Sequence, residues 1–467
     1  MKSILIIDKL LTETRCARLE DANLIELRRL TGQCDPCIGT IYLGRIRTVE
    51  TSLKAAFVDI GLGKNAFMPV FREKMPKKGS YLLVQGYANQ SNEDKAFRVT
   101  ERIQLTGRYV VWQRESNQVG FSTRITHRED RERLRPLANP VLEKGHGLIF
   151  RTESVSASEK DIKLEIERLS AIWNKLSQIE KGQNHTGIVY EYDIIEKLSR
   201  LRMLSVDAVI TNNDSYYIQI NKARDEKRIN PDVKVEYFDS KECLLSDKYG
   251  IDIQIQRALQ RNLWLDCGGY LTVDYCEALT LYDVNSGKSI KNEDAESAAL
   301  AVNLEAVQKM MAHIRLCDIG GMIVLDMINM KDTKHCEAVI REARLLAKKD
   351  SAKTDVLGVS NLGLLELTRK RSGKQLRDIM LGKCMCCNGS GVVQSPEAEA
   401  ITLMRSIKRE ELAGITDEHV ISCSEPVSKA ISNLCAGFYR VDCEPQKRRN
   451  TVVVRLQHIK KDLVEGN

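Results

Sequence analysis

Residues Tyr282–Gly287 (YDVNSG) and Ile323–Met327 (IVLDM) place Asp283 and Asp326 after apolar runs that are typical of β-strands. Between these runs, apolar residues recur at intervals of four and three, which predicts one buried face of a helix. They are Leu300, Leu304, Val307, Met311 and Ile314. The glycine pair at 320–321 predicts the end of that helix. Because a strand–helix–strand connection is right-handed and brings successive strand ends to one edge of a sheet, we expect the two aspartates to meet.

Two carboxylates at one sheet edge indicate a site for a divalent cation. A buried carboxylate needs a metal ion or a hydrogen-bond donor, because it is otherwise costly to remove from water. Carboxylate oxygens suit magnesium or manganese, with water and phosphate completing the coordination shell. The same spacing is also compatible with two separate carboxylates that cap strand ends, so both interpretations stay open at this point.

The composition is that of an ordinary soluble protein. The 467 residues carry a net charge of +7, and this length predicts roughly three or more modules. No apolar run approaches the ~18 residues of a membrane span, and Ile4–Ile7 is too short for a secretory signal. Fourteen cysteines without such a signal predict reduced thiols and a cytoplasmic location. The modest charge permits a polyanionic partner without requiring one.

The rest of the chain divides into recognisable regions. Residues 3–7 and 22–28 have the pattern of strands, and short glycine-bounded strands between Ile38 and Gln85 predict a small β-barrel. Apolar residues at heptad-like spacing predict a long helix that Ser158 would cap. These residues are Ile162, Ile166, Leu169, Trp173 and Leu176. After residue 395 a small separate α+β piece is expected.

Aromatic and basic residues coincide in the predicted barrel. Phe57 and Phe67 lie on neighbouring predicted strands, and Lys54, Lys64 and Lys95 are close in sequence. Exposed aromatic rings on such a barrel stack on unpaired bases, while lysines neutralise phosphates. The alternative interpretation is that both phenylalanines belong to the barrel core.

Arg151 and Thr152 lie where an apolar strand leads into the helix that starts near Ser158. A helix N-terminus gathers free backbone N–H groups, and an adjacent arginine and hydroxyl would complete a pocket for an anion. The alternative interpretation is a surface segment that caps the helix.

Cys384 and Cys387 have the C-x-x-C spacing of half a zinc site, in the glycine-supported segment 384–391. A structural zinc ion needs four ligands, so the other C-x-x-C pair, Cys34 and Cys37, or a second copy of the chain would have to complete it. Cys386 is then a surplus thiol. A thiol turn that binds no metal is the remaining interpretation.

Together these residues resemble the ribonuclease E/G family of bacterial endoribonucleases, over roughly residues 1–395. The length is closer to the ribonuclease G type. The segments that carry the resemblance, besides the cysteine segment, are Ala55–Gly61 (AAFVDIG), Gly269–Asp274 (GYLTVD), Glu277–Thr280 (EALT), Asp283–Gly287 (DVNSG), Asn303–Ala306 (NLEA), Asp318–Gly321 (DIGG) and Leu362–Glu366 (LGLLE).

The resemblance implies a multidomain α/β fold. In chain order the expected domains are a first ribonuclease H-like part (1–36), an OB-fold RNA-binding domain (37–107), a 5′-end sensor domain (108–196), a second ribonuclease H-like part (197–258), a deoxyribonuclease I-like catalytic domain (259–381), a zinc link (382–395) and a small C-terminal domain (396–467).

The resemblance also implies roles for individual residues. Asp283 and Asp326 would bind catalytic magnesium and Asn285 would orient the site; Phe57, Phe67 and Lys95 would contact RNA; Arg151, Thr152, Val111 and Lys353 would sense a 5′-monophosphate; Cys384 and Cys387 would bind zinc shared between two protomers. The implied activity is magnesium-dependent cleavage of single-stranded RNA, favouring 5′-monophosphorylated substrates, in rRNA and tRNA processing and mRNA decay. The implied assembly is a zinc-linked homodimer or a homotetramer. A non-catalytic RNA-binding protein with a degenerate nuclease domain is the alternative.

Three departures from the family pattern bear on these roles. Asn329 stands where a second aspartate is usual after the catalytic strand, so metal affinity is expected to fall if that residue assists binding. Met385 replaces the usual proline in the cysteine segment, and Cys386 is additional. Lys353 stands where an arginine is common, which keeps the charge but loses the bidentate guanidinium fork. The preference for monophosphate ends is therefore expected to be weaker.

Overall fold

The computed structural model describes residues 2–31, 39–71, 75–88, 97–182, 185–287, 295–371, 373–387, 389–414, 418–435, 439–446 and 451–458. The chain forms two compact units, Met1–Met380 and Leu381–Asn467. Within the described ranges, every helix is too short or too polar to cross a membrane. The architecture is mixed α/β with several separate sheets, as predicted.

The chain begins with three antiparallel strands and then enters a closed barrel. The first three are β1 (Ser3–Leu10), β2 (Glu13–Glu20) and β3 (Asn23–Thr31). The barrel strands are β4 (Ile41–Glu50), β5 (Ala55–Asp59), β6 (Ala66–Pro69), β7 (Tyr81–Ala88) and β8 (Arg98–Thr100). The barrel closes because β4 pairs with both β5 and β7, in the order β4-β5-β6-β8-β7. This five-stranded barrel is OB-like, and its interior is filled by Tyr42, Val58, Met68 and Val84.

A four-stranded sheet and a long helix follow the barrel. The elements are β9 (Gln104–Thr106), β10 (Val110–Gln113), β11 (Val119–Phe121), α1 (Arg128–Leu134), α2 (Asn139–Leu142), β12 (Gly147–Phe150) and α3 (Glu159–Gly182). The strand order is β11-β12-β10-β9. The predicted apolar face of α3 is buried together with Trp112 on β10. The predicted cap is confirmed, since Ser158 Oγ accepts a hydrogen bond from the Asp161 backbone N–H at 3.1 Å.

The next segment returns to the barrel and then to the first sheet. Its elements are β13 (Gly187–Tyr190), α4 (Ile194–Arg200), β14 (Ala208–Thr211), α5 (Asp214–Asp225), β15 (Lys234–Tyr237), α6 (Leu245–Lys248) and α7 (Ile251–Ala258). Strand β13 pairs with β4, while β14 and β15 extend the first sheet in the order β15-β14-β1-β2-β3. The first sheet is therefore built from two parts of the chain that are separated by the barrel and the four-stranded sheet.

A six-stranded sheet, which we call the aspartate sheet, completes the first unit. Its elements are β16 (Asn262–Trp264), β17 (Tyr270–Tyr275), β18 (Leu279–Asn285), α8 (Ala295–Leu316), β19 (Gly321–Asp326), α9 (Thr333–Lys349), β20 (Thr354–Val359), β21 (Leu364–Arg369) and α10 (Leu376–Met380). The order is β16-β17-β18-β19-β21-β20, and β18 and β19 are the parallel pair that the sequence predicts. Helices α8 and α9 cover one face, against Tyr282, Ile323 and Leu367.

The helix between the two aspartates ends earlier than the glycine pair predicts. Helix α8 stops at Leu316, and Asp318 adopts the left-handed conformation, with φ of 50°. Gly321 then begins β19 with φ of 106°. The side chain of Asp318 is held in the interior by the guanidinium of Arg369 at 2.8 Å, so a tertiary ion pair supports a turn that sequence alone assigns to glycine.

The second unit contains two helices and a small sheet. Its elements are α11 (Pro396–Leu412), β22 (Glu418–Ser424), α12 (Glu425–Cys435), β23 (Tyr439–Gln446) and β24 (Thr451–His458). The strand order is β22-β24-β23. Ser395 caps α11 by accepting from the Ala398 N–H at 3.2 Å. Ile407, Ile431 and Val454 form part of a shared core, so the predicted α+β character of the C-terminal piece is confirmed.

Candidate active site

Asp283 and Asp326 lie side by side on the aspartate sheet. They are direct partners in the parallel pairing of β18 and β19, so their side chains leave the sheet on the same face, with Cα atoms ~4.8 Å apart. That face is opposite to the one covered by α8 and α9, and we call it the open face. Asp326 is exposed and Asp283 is half-buried. The structure thus brings the two predicted carboxylates together where a large substrate can reach them.

Asn285 holds the Asp283 carboxylate in place. Its Nδ2 donates to Asp283 Oδ2 at 2.9 Å and lies 3.4 Å from Thr272 Oγ1 on the neighbouring strand. Gly269 permits this arrangement, because a Cβ at that position would lie 2.6 Å from the Asn285 carbonyl oxygen. The three predicted residues Asp283, Asn285 and Asp326 therefore form one cluster.

The segment after Asp326 is anchored from α8. The buried Asn303 side chain donates to the Ile328 carbonyl at 2.8 Å and accepts from the Ile328 N–H at 3.0 Å. At the start of α8, Glu296 accepts from the N–H groups of Lys331 and Asp332. Hydrogen bonding from the Asp332 backbone N–H lowers the pKa of Glu296 below its usual range. Both ends of this segment are thus held by side chains of one helix.

Asn329 belongs to the anchored segment and is exposed. Its Oδ1 faces the turn between β20 and β21, where Gly363 has φ of +83° and a Cβ would lie 3.3 Å away. The residue that departs from the family pattern thus lies beside the glycine turn of a neighbouring hairpin.

Phe57 and Phe67 are direct cross-strand partners on β5 and β6. Their rings meet edge to face, with centroids 5.8 Å apart, and the Arg98 guanidinium lies 5.8 Å from the Phe67 ring. Both rings are partly exposed, whereas the flanking Val58 and Met68 are buried in the barrel core. Lys95, the third predicted RNA contact, lies outside the described residues. The Phe57–Phe67 pair therefore presents an aromatic surface on the outside of the barrel.

Arg151 and Thr152 follow β12, and their side chains have partners within the chain. The Arg151 guanidinium donates to the Gly107 carbonyl at 2.5 Å, to Ser199 Oγ at 2.7 Å and to the Ser199 carbonyl at 2.9 Å. Burial lowers the pKa of this guanidinium. The Thr152 hydroxyl lies 3.1 Å from that of Ser122. Val111 is partly exposed on β10, opposite Ile149 on β12.

Lys353 lies on the wall of a large cationic cleft of about 1730 Å³. Thirteen of the described residues that line this cleft are lysine or arginine, against five acidic ones. They come from the first sheet and the segment after α4 (Arg28, Arg202), from the segment after β11 (Arg124), and from the aspartate-sheet region (Lys353, Arg371). A cleft with this excess of positive charge attracts polyanions.

The loop that carries Lys353 is held by hydrogen bonds from other parts of the chain. Arg124 donates to the Lys348 carbonyl at 3.2 Å, and Arg202 donates to the Ser351 carbonyl at 3.2 Å. The carboxylate of Asp350 is buried against Arg369, with an N–O distance of 2.8 Å. Three parts of the chain therefore meet at this loop, and Lys353 itself is exposed beside Asp355 at 3.0 Å.

The cysteine segment lies in the second unit. Cys384 and Cys386 are exposed and Cys387 is partly exposed. Hydrogen bonds from the backbone of Cys387 and Cys386 lower the pKa of the Cys384 thiol, which favours the thiolate form that binds metal. The described part of the chain contains no group of three or more histidine, cysteine or acidic side chains arranged to hold a metal ion. Cys34 and Cys37 lie outside the described residues, and the described cysteines form no disulfide.

The cationic cleft is not predicted by the amino-acid sequence. Its arginines and lysines are spread over more than 350 residues between Arg15 and Lys374, and each taken alone looks like ordinary surface charge. The one local signal is the basic run at 370–374 (KRSGK). Folding brings these charges together, so only the tertiary structure reveals the cleft.

Comparison with known proteins gives one consistent result. The family model described as Ribonuclease E/G family matches residues 104–372. Ribonuclease G of Haemophilus influenzae is 30% identical over 449 residues, which cover 90% of each chain. Ribonuclease G of Escherichia coli K12 is 28% identical over 455 residues, 92% of each chain. Ribonuclease E of Buchnera aphidicola is 27% identical over 98% of this chain and 50% of its own length. The chain therefore belongs to the ribonuclease E/G family and is an endoribonuclease of that type.

Proposed function

We propose that this endoribonuclease depends on magnesium, cleaves single-stranded RNA and favours substrates with a 5′-monophosphate. Its expected roles are rRNA and tRNA processing and mRNA decay. The observation that carries the proposal is the in-register pair of Asp283 and Asp326 on the open face, with Asn285 bonded to Asp283.

The donor set fits a magnesium ion. Asp283 and Asp326 would hold it, since two adjacent carboxylates with open surroundings leave room for the water and phosphate ligands that magnesium retains. When bound, the ion supplies Lewis-acid polarisation of the phosphate and lowers the pKa of a bound water.

The residues of the chain supply orientation. Asn285 fixes the Asp283 carboxylate by donating to it. Asn303 holds the backbone just after Asp326, so that this carboxylate is positioned before substrate arrives. Such preorganisation lowers the barrier, because little reorganisation is needed as charge develops in the transition state.

Two surfaces support single-stranded RNA as the substrate. The partly exposed Phe57–Phe67 pair offers rings on which unpaired bases can stack, whereas paired bases are not available for such stacking. The cationic cleft offers lysine and arginine side chains to the phosphates. We include Lys95 among the RNA contacts on the basis of the family resemblance.

We assign recognition of the 5′-monophosphate to Arg151, Thr152, Val111 and Lys353. The guanidinium of Arg151 is bonded to Ser199 and Gly107, so a phosphate must compete with these partners. Lys353 contributes a charge at the cationic cleft but lacks the bidentate fork of the arginine that is common at this position. Both features point to a modest preference for monophosphorylated ends.

The proposal extends to assembly and domain folds. Cys384 and Cys387 of two protomers would together supply the four thiolates of a zinc ion and link a homodimer, or a homotetramer built from such dimers. We assign a ribonuclease H-like fold to the first sheet, which two separate chain segments build, and a deoxyribonuclease I-like fold to the aspartate-sheet domain. The cytoplasmic location stays a prediction.

The proposal is tested by replacing Asp283 and Asp326 with asparagine, one at a time. Each variant should bind a fluorescent single-stranded RNA normally and lose cleavage in magnesium. Asp274→Asn is the matched control, because Asp274 lies on the adjacent strand of the same sheet but pairs with Arg261. Near wild-type turnover by Asp283→Asn or Asp326→Asn would overturn the assignment.

Asn329 favours a second candidate function, a non-catalytic RNA-binding protein, because it lacks the charge of the aspartate that is usual three residues after Asp326 in the family pattern. The same assay separates the candidates. Metal-dependent cleavage by the wild-type protein supports the nuclease, and RNA binding without cleavage supports the alternative.

A further inference from the structure

Trp264 is a large aromatic side chain left exposed near the candidate active site. Of the three tryptophans, Trp112 and Trp173 are buried, with 1% and 7% of their surface accessible, whereas Trp264 is 63% accessible. Its ring lies against that of Tyr270, with centroids 5.3 Å apart and planes inclined by 56°. The face of this large aromatic side chain is therefore accessible to a ligand.

Strand register places this aromatic pair on the open face. Trp264 is the direct partner of Tyr270, and Tyr270 is the direct partner of Asn285. Directly opposed residues in antiparallel strands project from the same face. Trp264 therefore lies two strands from Asn285, ~10 Å away at the usual strand spacing.

A polar row links the same edge strand to the aspartates. Asn262 of β16 pairs with Thr272, and Thr272 pairs with Asp283. Thr272 Oγ1 lies 3.4 Å from Asn262 Oδ1 and 3.4 Å from the Asn285 amide nitrogen. The aromatic pair and the carboxylates thus border one continuous surface of the sheet.

We propose that Trp264, supported by Tyr270, is a stacking platform for an unpaired base of the RNA substrate next to the cleavage site. The inference rests on the proposed function, since it names a substrate contact for that site. The phosphate that is cleaved would lie at Asp283 and Asp326. The base that stacks on Trp264 would belong to a nearby nucleotide, joined to that phosphate by a short extended stretch of RNA.

A nucleobase fits this platform better than a protein partner. A stable protein interface needs on the order of 1,000 Å² with an apolar centre. Here the aromatic pair is flanked by polar side chains: Asn262, Thr272, and the ion pair of Arg261 with Asp274 at 2.9 Å. A single base needs only one aromatic surface, and every base has one.

The first experiment uses the intrinsic fluorescence of the full-length protein. In an Asp283→Asn background that prevents cleavage, an unstructured RNA oligonucleotide should quench the emission of the exposed Trp264. The same RNA should leave emission unchanged in Asp283→Asn/Trp264→Phe, because Trp112 and Trp173 are buried. Quenching of equal size in both proteins would overturn the proposal.

The second experiment compares side chains at position 264. Trp264→Ala should lower kcat/KM about 5- to 30-fold, as expected for loss of one base–aromatic stack. Trp264→Tyr should retain most activity and Trp264→Leu should not, because stacking needs an aromatic ring. Leu357→Ala is the matched control, since Leu357 is 62% accessible on the opposite edge strand.

Substrates lacking one base at a time locate the contact. One abasic position should slow cleavage by the wild-type protein and have no effect on Trp264→Ala.

If the wild type cleaves RNA and Trp264→Ala or Trp264→Leu cleaves equally well, the platform is refuted while the nuclease stands. If Trp264→Ala instead changes the oligomeric state with no change in RNA binding, the surface joins copies of the chain and the platform is refuted. If the wild type fails to cleave, the proposed function falls and the quenching experiment still decides the platform.

Discussion

Replacing Asn303 with leucine should displace the Asp326 carboxylate without changing its charge. Asn303 is fully buried in α8, and its amide makes both of its hydrogen bonds to the backbone of Ile328, at 2.8 and 3.0 Å. Leucine has a similar size but cannot make either bond. The Ile328 N–H and carbonyl then lose their partners, two residues after Asp326, one of the two proposed magnesium ligands.

The expected stability loss follows from these two groups. A buried polar group left without a partner costs about 1–3 kcal/mol, so two cost up to about 6 kcal/mol. Ile328 is only partly buried, and water can reach part of its backbone. We therefore expect the free energy of unfolding to fall by about 2–4 kcal/mol.

The expected effect on catalysis is larger than the effect on binding. A displacement of about 1 Å can cost 100-fold in rate, so kcat should fall about 10- to 100-fold while the Kd for RNA is unchanged. The assays are urea unfolding and cleavage of a fluorescent RNA at a temperature where the variant is folded. Asn221→Ala is the control, because Asn221 bonds only within its own helix, to the Tyr217 carbonyl at 2.9 Å. If the folded Asn303→Leu variant cleaves RNA at the wild-type rate, Asn303 does not position Asp326 for cleavage.

Three further predictions concern the 5′ end, the zinc link and acid stability. An RNA with a 5′-monophosphate should be cleaved faster than the same RNA with a 5′-hydroxyl, and Arg151→Gln should remove the difference; equal rates for the wild type would contradict the assignment. Zinc analysis should give about half an ion per chain, from the shared four-thiolate site, and chelation or Cys384→Ala should dissociate dimers; one ion per chain would favour a site within one protomer. Burial lowers the pKa of His313 from 6.5 to about 4, where its Nε2–H donates to the Ala258 carbonyl and Nδ1 accepts from Tyr282. Since the unfolded chain takes up this proton first, stability should fall by about 3 kcal/mol as pH drops from 6.5 to 4, and pH-dependent unfolding of His313→Gln should lack this loss.

Much of the fold is predictable because it depends on local patterns. The spacing of Leu300 to Ile314 predicts α8, and the apolar runs before Asp283 and Asp326 predict the parallel strands that bring the carboxylates together. The glycine-bounded strands around Phe57 predict a barrel, which the structure closes through β4 and β7. These inferences succeed because helix and strand periodicities are encoded within a few residues of one another.

Other features depend on contacts between distant segments. The sequence leaves open whether Phe57 and Phe67 are core, and the strand alternation of the barrel places both rings outside it. The sequence also treats Arg151 as available to an anion, whereas Ser199, 48 residues later, accepts two of its hydrogen bonds. Neither the orientation of the two rings nor the hydrogen-bond partners of Arg151 can be read from a local pattern.

Short motifs in the sequence are enough to predict the paired aspartates, the barrel strands and the family. The surfaces that surround these aspartates become apparent only in the folded chain. The cationic cleft exists because three parts of the chain meet near Arg124, Arg202 and Lys353. Trp264 shares the open face with Asp283 because of strand register, and a shift of one residue would turn it to the other face. Register and long-range packing are set by the whole core, so no local stretch of sequence specifies them.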